Sequence, residues 1–150
     1  MTQKIKTRDL DPDPIAFKKG NIMSHHQELI KQLSDQKYAL DQAAIVAATD
    51  VNGTITYVNE KFCEASGYSR RELMGKNHRI LNSGYHDKEF FVGLWQTISR
   101  GRTWQGEIRN RKKNGDFYWV FTTIVPYLDE KGIPNQYLSI RHEITALKLA

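Results

Sequence analysis

The stretch Thr103–Thr145, TWQGEIRNRKKNGDFYWVFTTIVPYLDEKGIPNQYLSIRHEIT, alternates apolar and polar residues and is broken twice, at Asn114-Gly115 and at Glu130-Lys131-Gly132. A period of two marks strands with one buried face, and Asn-Gly between such runs is the strongest short-range hairpin signal. Three long antiparallel strands are expected here. Toward the N-terminus, AAIVAATDVNGTITYVN (Ala43–Asn59) repeats the pattern on a smaller scale: an apolar run, an Asn52-Gly53 turn and an alternating run from Thr54 to Val58, hence two more strands.

Between these strand regions the period changes. EKFCEASGYSRRELMGK (Glu60–Lys76) places Phe62, Ala65 and Tyr68 at helical spacing, with Gly67 as a stop, Ser69 as a new cap with Glu72 three residues on, and Gly75 as a second stop. Two short helices follow from this. HDKEFFVGLWQTISRG (His86–Gly101) predicts a longer helix with Phe90, Phe91, Leu94, Trp95 and Ile98 on its inner face. The expected order is β-β-α-α-α-β-β-β, an α+β fold in which a five-stranded antiparallel sheet carries its helices on one face.

Ahead of this block, residues 24–42 read as an amphipathic helix capped by Ser24, with Leu29, Ile30, Leu33, Tyr38 and Leu40 on one stripe. A lone helix of this length is marginal in water, so the stripe predicts packing on the domain or on a second copy, as a homodimer. Residues 1–23 carry charge without a helix or strand pattern and are expected to form a flexible arm, while residues 148–150 are expected to begin a C-terminal connector after the domain at 43–147.

Composition narrows the functional classes. The chain has 150 residues, 39% of them apolar, enough for one domain with one core. Its single cysteine, Cys63, allows neither an internal disulfide nor a cysteine-based zinc cluster. No apolar run approaches the ~18 residues of a membrane span, and no signal peptide pattern opens the chain, so a cytoplasmic location is expected and membrane insertion is not. The net charge of +5 is scattered, and its densest run, RNRKKNGD, falls on a turn, so no nucleic acid partner is expected. There is no Ser-His-Asp set, carboxylate pair or phosphate loop, so catalysis has no candidate. His25 and His26 are adjacent on the first helix and point about 100° apart, which does not make a metal site.

Two motifs carry a family resemblance. ITYVNEKFCEASGYSRRELMGKNHRIL followed by GEIRNRKKNGDFYWVFTTIVPYLDEKGIPNQYLSIRHEIT resembles a PAS domain over about residues 43–147. The resemblance implies a cupped sheet with short helices closing over a ligand, a sensory role, and a downstream signalling module in the same or a partner protein. Within it, GKNHRILN (Gly75–Asn82) resembles the loop of the light-sensing LOV branch, with His78 where those proteins place the cysteine that bonds flavin. Without a thiolate at that position the covalent adduct cannot form. Asn77, Arg79 and Asn82 still match positions that in that branch hold the ribityl chain, phosphate and ring edge.

TWQGEIRNRKKNGDFYWV (Thr103–Val120) is similar to the FAD-binding PAS domains of bacterial aerotaxis receptors and of the redox regulator of nitrogen fixation. That similarity implies that Trp104 and Asn110 face a flavin and that Arg141, where LOV proteins carry glutamine, places donors near ring N5 or O4. An indole offers an apolar wall, and an amide can both donate and accept. Val92 and Gly93 stand where LOV proteins add a phosphate-binding base, and Val120 where they add an asparagine, which favours FAD over FMN. The rival expectations are haem held through His78, as histidine is its usual ligand, and a cofactor-free dimerisation module.

Overall fold

The computed structural model describes residues 22–149, and the chain divides into two units between Leu40 and Asp41. The expected arm therefore lies, up to residue 21, outside the described residues. Among the described residues the first unit holds the start of one helix, α1 (Ile22–Ala43). Leu29, Ile30, Leu33 and Tyr38 are all exposed.

The second unit holds β1 (Ile45–Thr49), β2 (Ile55–Val58), α2 (Glu60–Ser66), α3 (Arg70–Leu73), α4 (Lys88–Ser99), β3 (Trp104–Arg111), β4 (Phe117–Leu128), β5 (Pro134–Glu143) and a last short helix, α5 (Thr145–Leu149). The five strands form one antiparallel sheet in the order β2-β1-β5-β4-β3. One element was not expected: a 3-10 turn at His78–Leu81, inside GKNHRILN. Four residues are too few to show a helical period, so this turn leaves no pattern in the sequence. α5 also starts at Thr145, earlier than the connector was expected; the Thr145 hydroxyl accepts from the Trp119 amide at 3.0 Å and bonds Glu143.

The alternation read from the sequence is the alternation of faces. Along β4, Tyr118, Val120, Thr122, Ile124 and Pro126 are buried while Phe117, Phe121 and Tyr127 are exposed. The buried face meets Phe62, Leu73, Leu81, Leu94 and Ile98 from the helical side, making one core. Burying a side chain such as Leu94 or Ile98 contributes about 1.5–3 kcal/mol each. The predicted turns form, and Gly115 adopts φ +97°, a left-handed conformation in which a side chain would be strained.

One buried asparagine ties the start of the domain together. Asn59 Oδ1 accepts from the amides of Phe62 (3.0 Å) and Val46 (3.1 Å), and its Nδ2 donates to the carbonyls of Ala44 (2.8 Å) and Asp41 (3.2 Å). It thus caps α2 and fixes the chain entering β1.

Candidate functional site

The loop over the sheet is pinned at both ends. Asn77 bridges to Thr54, Asn82 bridges to Asn110, and the His78 amide donates to the Gly53 carbonyl at 2.8 Å. Asn77 also caps the 3-10 turn, its Oδ1 accepting from the Arg79 amide at 3.0 Å while its Nδ2 donates to the Asn52 carbonyl at 3.0 Å. The sequence GKNHRILN is therefore a short bridge held above the sheet, with His78 and Arg79 in its span.

Beneath it lies a cavity of ≈ 400 Å³, within the range of small-molecule and cofactor sites. Its floor is the inner face of the sheet: Thr49 from β1, Tyr137, Ser139 and Arg141 from β5, Ile124 from β4, Ile108 and Asn110 from β3. Asn77, His78, Arg79 and Asn82 form the roof, Phe91, Leu94, Trp95 and Ile98 of α4 one wall, and Asn52 with Gly53 stand at the β1–β2 turn. Six of the seven expected site residues are brought together here: Asn77, His78, Arg79, Asn82, Asn110 and Arg141.

Trp104 is the exception. It is absent from the cavity lining and packs half-buried against the core, edge to face with Phe90 at 5.6 Å between centroids. The cause is two residues along β3. A Cβ on Gly106 would lie 2.6 Å from Trp104 Cη2, so the glycine leaves the space into which the indole folds back along its own strand. Trp95, expected on the inner face of its helix, lines the cavity with Leu94 and Ile98 and is 37% exposed.

The polar chemistry of the floor is unbalanced. Arg141 is 1% exposed, and its Nη2 bonds His78 Nε2 while Nε and Nη1 have no partner. Ser139 Oγ is also buried without a partner, and Asn110 Nδ2, whose near neighbour is the Tyr118 phenol, makes no hydrogen bond of ordinary geometry. A buried polar atom without a partner costs about 1–3 kcal/mol, more when charged, so such groups signal something that completes them. No aspartate or glutamate lines the cavity, and the Arg141 charge is eased by the His78 acceptor, by the Tyr118 phenol and by the face of Phe62, 5.3 Å from Cζ. Burial draws the Arg141 pKa down to about 10, so it remains a cation at neutral pH. Burial and then the Arg141 charge push His78 well below its ordinary value, and a neutral imidazole accepting at Nε2 must carry its proton on Nδ1.

Sequence reasoning missed Ser139 and Tyr137 as cavity residues, although both lie on the face of Arg141, two and four positions before it on β5. It also passed over Tyr118, buried opposite Asn110 across the β3–β4 ladder, whose phenol burial raises while the Arg141 charge and then the Asn110 side chain lower it.

A five-stranded antiparallel sheet closed on one face by short helices, with a polar-floored cavity between, is the architecture of a PAS sensory domain. The sequence profile of the PAS domain matches residues 42–146, and the chain belongs to that family. It is 36% identical over 110 residues to the aerotaxis receptor of Escherichia coli K12, covering 73% of this chain and 22% of the receptor. It is 33% identical over 145 residues to the nitrogen fixation regulatory protein of Klebsiella pneumoniae, covering 97% of this chain and 28% of the relative. Among solved structures, the light-state dimer of the fungal blue-light photoreceptor Vivid matches with a TM-score of 0.61 and 29% identity, over 67% of this chain and 77% of that one. The chain thus spans less than a third of the length of either curated relative. Among the described residues no helix is long and apolar enough to cross a membrane.

Proposed function

We propose that this PAS domain binds a flavin in the cavity under His78 and reports its redox state, as the cytoplasmic sensory part of a longer signalling protein. The observation that carries the reading is the set of unpartnered buried groups on Arg141, Asn110 and Ser139, which together ask for a ligand with an acceptor-rich edge and a donor. The pyrimidine side of a flavin ring offers such an edge: O2, O4, N1 and N5 accept, and N3–H donates. The apolar wall of Phe91, Leu94 and Ile98 with Ile108 and Ile124 suits the rest of the ring, and Arg79, exposed at the cavity, suits a phosphate. The similarity to an aerotaxis receptor and a nitrogen fixation regulator supports the same reading, since these are the two kinds of sensor that the Thr103–Val120 stretch resembles.

A bound flavin supplies reversible redox chemistry in which charge and protonation change at the ring's polar edge. Arg141 and Asn110 are placed to register that change, each on a different strand, and β5 pairs with both β1 and β4, so a shift in Arg141 reaches most of the sheet. A haem reading is less well served: His78 Nε2 already accepts from Arg141, and His86 Nε2 accepts from the Arg109 amide at 2.9 Å. The exposed stripe of α1 is read as a parallel homodimer helix; deletion of residues 1–42 then shifts the protein toward monomer in sedimentation.

The test is the spectrum of freshly purified protein and chromatography of the pigment that heat releases. Flavin bands with released FAD are the expected result. A colourless protein that takes up no added flavin points to a cofactor-free relay and overturns the proposal, as do haem bands.

A further inference from the structure

We infer that Trp95 is an adenine platform: its half-open indole at the cavity mouth selects a flavin dinucleotide over the mononucleotide, an inference that rests on the flavin reading above. The polar floor of the ≈ 400 Å³ cavity is formed by Asn110, Ser139 and Arg141, all of them buried. A ring system bonded to that floor fills the enclosed part with its ribityl chain, which leaves a dinucleotide's second half to lie at the opening.

The exposed lining residues are Asn52 at the β1–β2 turn, Trp95 on α4, and Arg79 and Asn82 on the roof, and the first two border one part of the opening. Trp95 projects from α4 and stands edge to face with Tyr137 of β5 at 5.8 Å between centroids. The benzo edge of its indole seats on Gly53, where a Cβ would come within 3.3 Å of Cη2 and 3.4 Å of Cζ2. Gly53 also holds φ +84°, so both the backbone and the space call for glycine. On the other side of the turn a Cβ would meet Asn77 Nδ2 at 3.2 Å, the atom that donates to Asn52. The indole is thus fixed in place by packing, lines the cavity, and still leaves 37% of the residue exposed.

A large aromatic side chain immobilised at a ligand cavity and left open is suited to stacking a flat ring. Aromatic stacking tolerates any base and, on truncation to alanine, loses about tenfold or more in affinity per base. Arg79, also at the cavity, meets a phosphate that both nucleotides carry and so does not discriminate between them. Selectivity falls to the indole.

The test uses the full chain, incubated with an equimolar excess of FAD and FMN, separated from free pigment, and assayed for the bound flavins by chromatography after heat release. Wild type is expected to retain mainly FAD. Trp95→Ala should shift the bound ratio about tenfold toward FMN with total flavin little reduced, and Trp95→Phe should restore it. Arg79→Ala should lower both flavins together, leaving their ratio unchanged. Wild type that prefers FMN, or a Trp95→Ala ratio equal to that of wild type, overturns the platform and leaves the flavin reading standing. Wild type that retains neither flavin overturns both. If Trp95→Ala melts so low that it cannot be assayed, Trp95→Leu, which keeps apolar bulk without a stacking plane, gives the same comparison.

Discussion

The Arg141 guanidinium bonds His78 Nε2 through a single nitrogen and leaves its two other nitrogens unbonded in a floor that has no carboxylate. A buried cation in that state is costly to the fold and useful to a ligand. Two consequences separate in Arg141→Met, which keeps the length and removes the charge. The flavin-free protein should melt at or above wild type by calorimetry, because the unpaired charge is gone. Flavin affinity should fall roughly 10- to 100-fold, the weight of a hydrogen bond from a charged donor. Flavin retained by the mutant should also be harder to reduce, which a potentiometric titration reads as a more negative midpoint.

His78 gives the fold a pH dependence of definite sign. Its folded pKa lies well below the ordinary value, by burial first and the Arg141 charge second, whereas the unfolded residue titrates near about 6.5. Stability is therefore undiminished above about pH 6.5 and falls as the pH drops below it, at up to about 1.4 kcal/mol per unit, since the unfolded chain takes up a proton that the fold does not. His86, lowered chiefly by burial, adds in the same direction. Melting of flavin-free His78→Gln at about pH 7.5 and about pH 5.5 should show a smaller loss than wild type, with a residual slope from His86. An equal loss in the two proteins would place the His78 ring in solvent.

Trp104 and Gly106 test where the sheet ends and the cavity begins. Trp104→Ala should lower stability by about 2–4 kcal/mol, somewhat less than a fully enclosed indole, yet leave flavin occupancy near that of wild type. Gly106→Val, which drives the indole from its place, should have the same signature. Loss of colour with an unchanged melting point would instead put Trp104 in the flavin site.

Gly53→Ala combines a left-handed backbone with a Cβ pressed between Asn77 and Trp95. A cost of about 1–3 kcal/mol is expected from the backbone conformation alone. The chemical denaturation midpoint measures it, and Asn77→Ala, which removes one of the two contacts, should relieve part of it in the double variant.

The strands were legible in the sequence because period two and Asn-Gly turns are local signals: the run Tyr118, Val120, Thr122, Ile124 and its interruption at Gly115 dictate faces and a hairpin without any distant contact. The polar floor was partly legible through the family resemblance, which pointed to Asn110 and Arg141 but not to Ser139. What periodicity does not carry is depth. Trp95, Leu94 and Ile98 share one stripe of α4, and nothing in their spacing tells a core residue from a cavity wall. The direction of Trp104 was hidden for a related reason: it follows from the missing Cβ of Gly106, a contact between rotamer and backbone that no apolar pattern records. The 3-10 turn at His78 was hidden because its geometry comes from Asn77 and from bridges to Thr54 and Asn110, residues far away in the chain.

The central claim is that a flavin completes the bonds which Arg141 and Asn110 lack, and nuclear magnetic resonance of the ¹⁵N-labelled full chain during FAD titration tests it most directly. The Arg141 Nε–H and Asn110 Nδ2–H₂ signals are assigned by their loss in Arg141→Lys and Asn110→Ala. The account predicts saturation at about one FAD per chain, with both signals moving downfield and their exchange with water slowing as they gain an acceptor. FAD that fails to bind the folded chain, or that binds while both signals stay where they were, contradicts it.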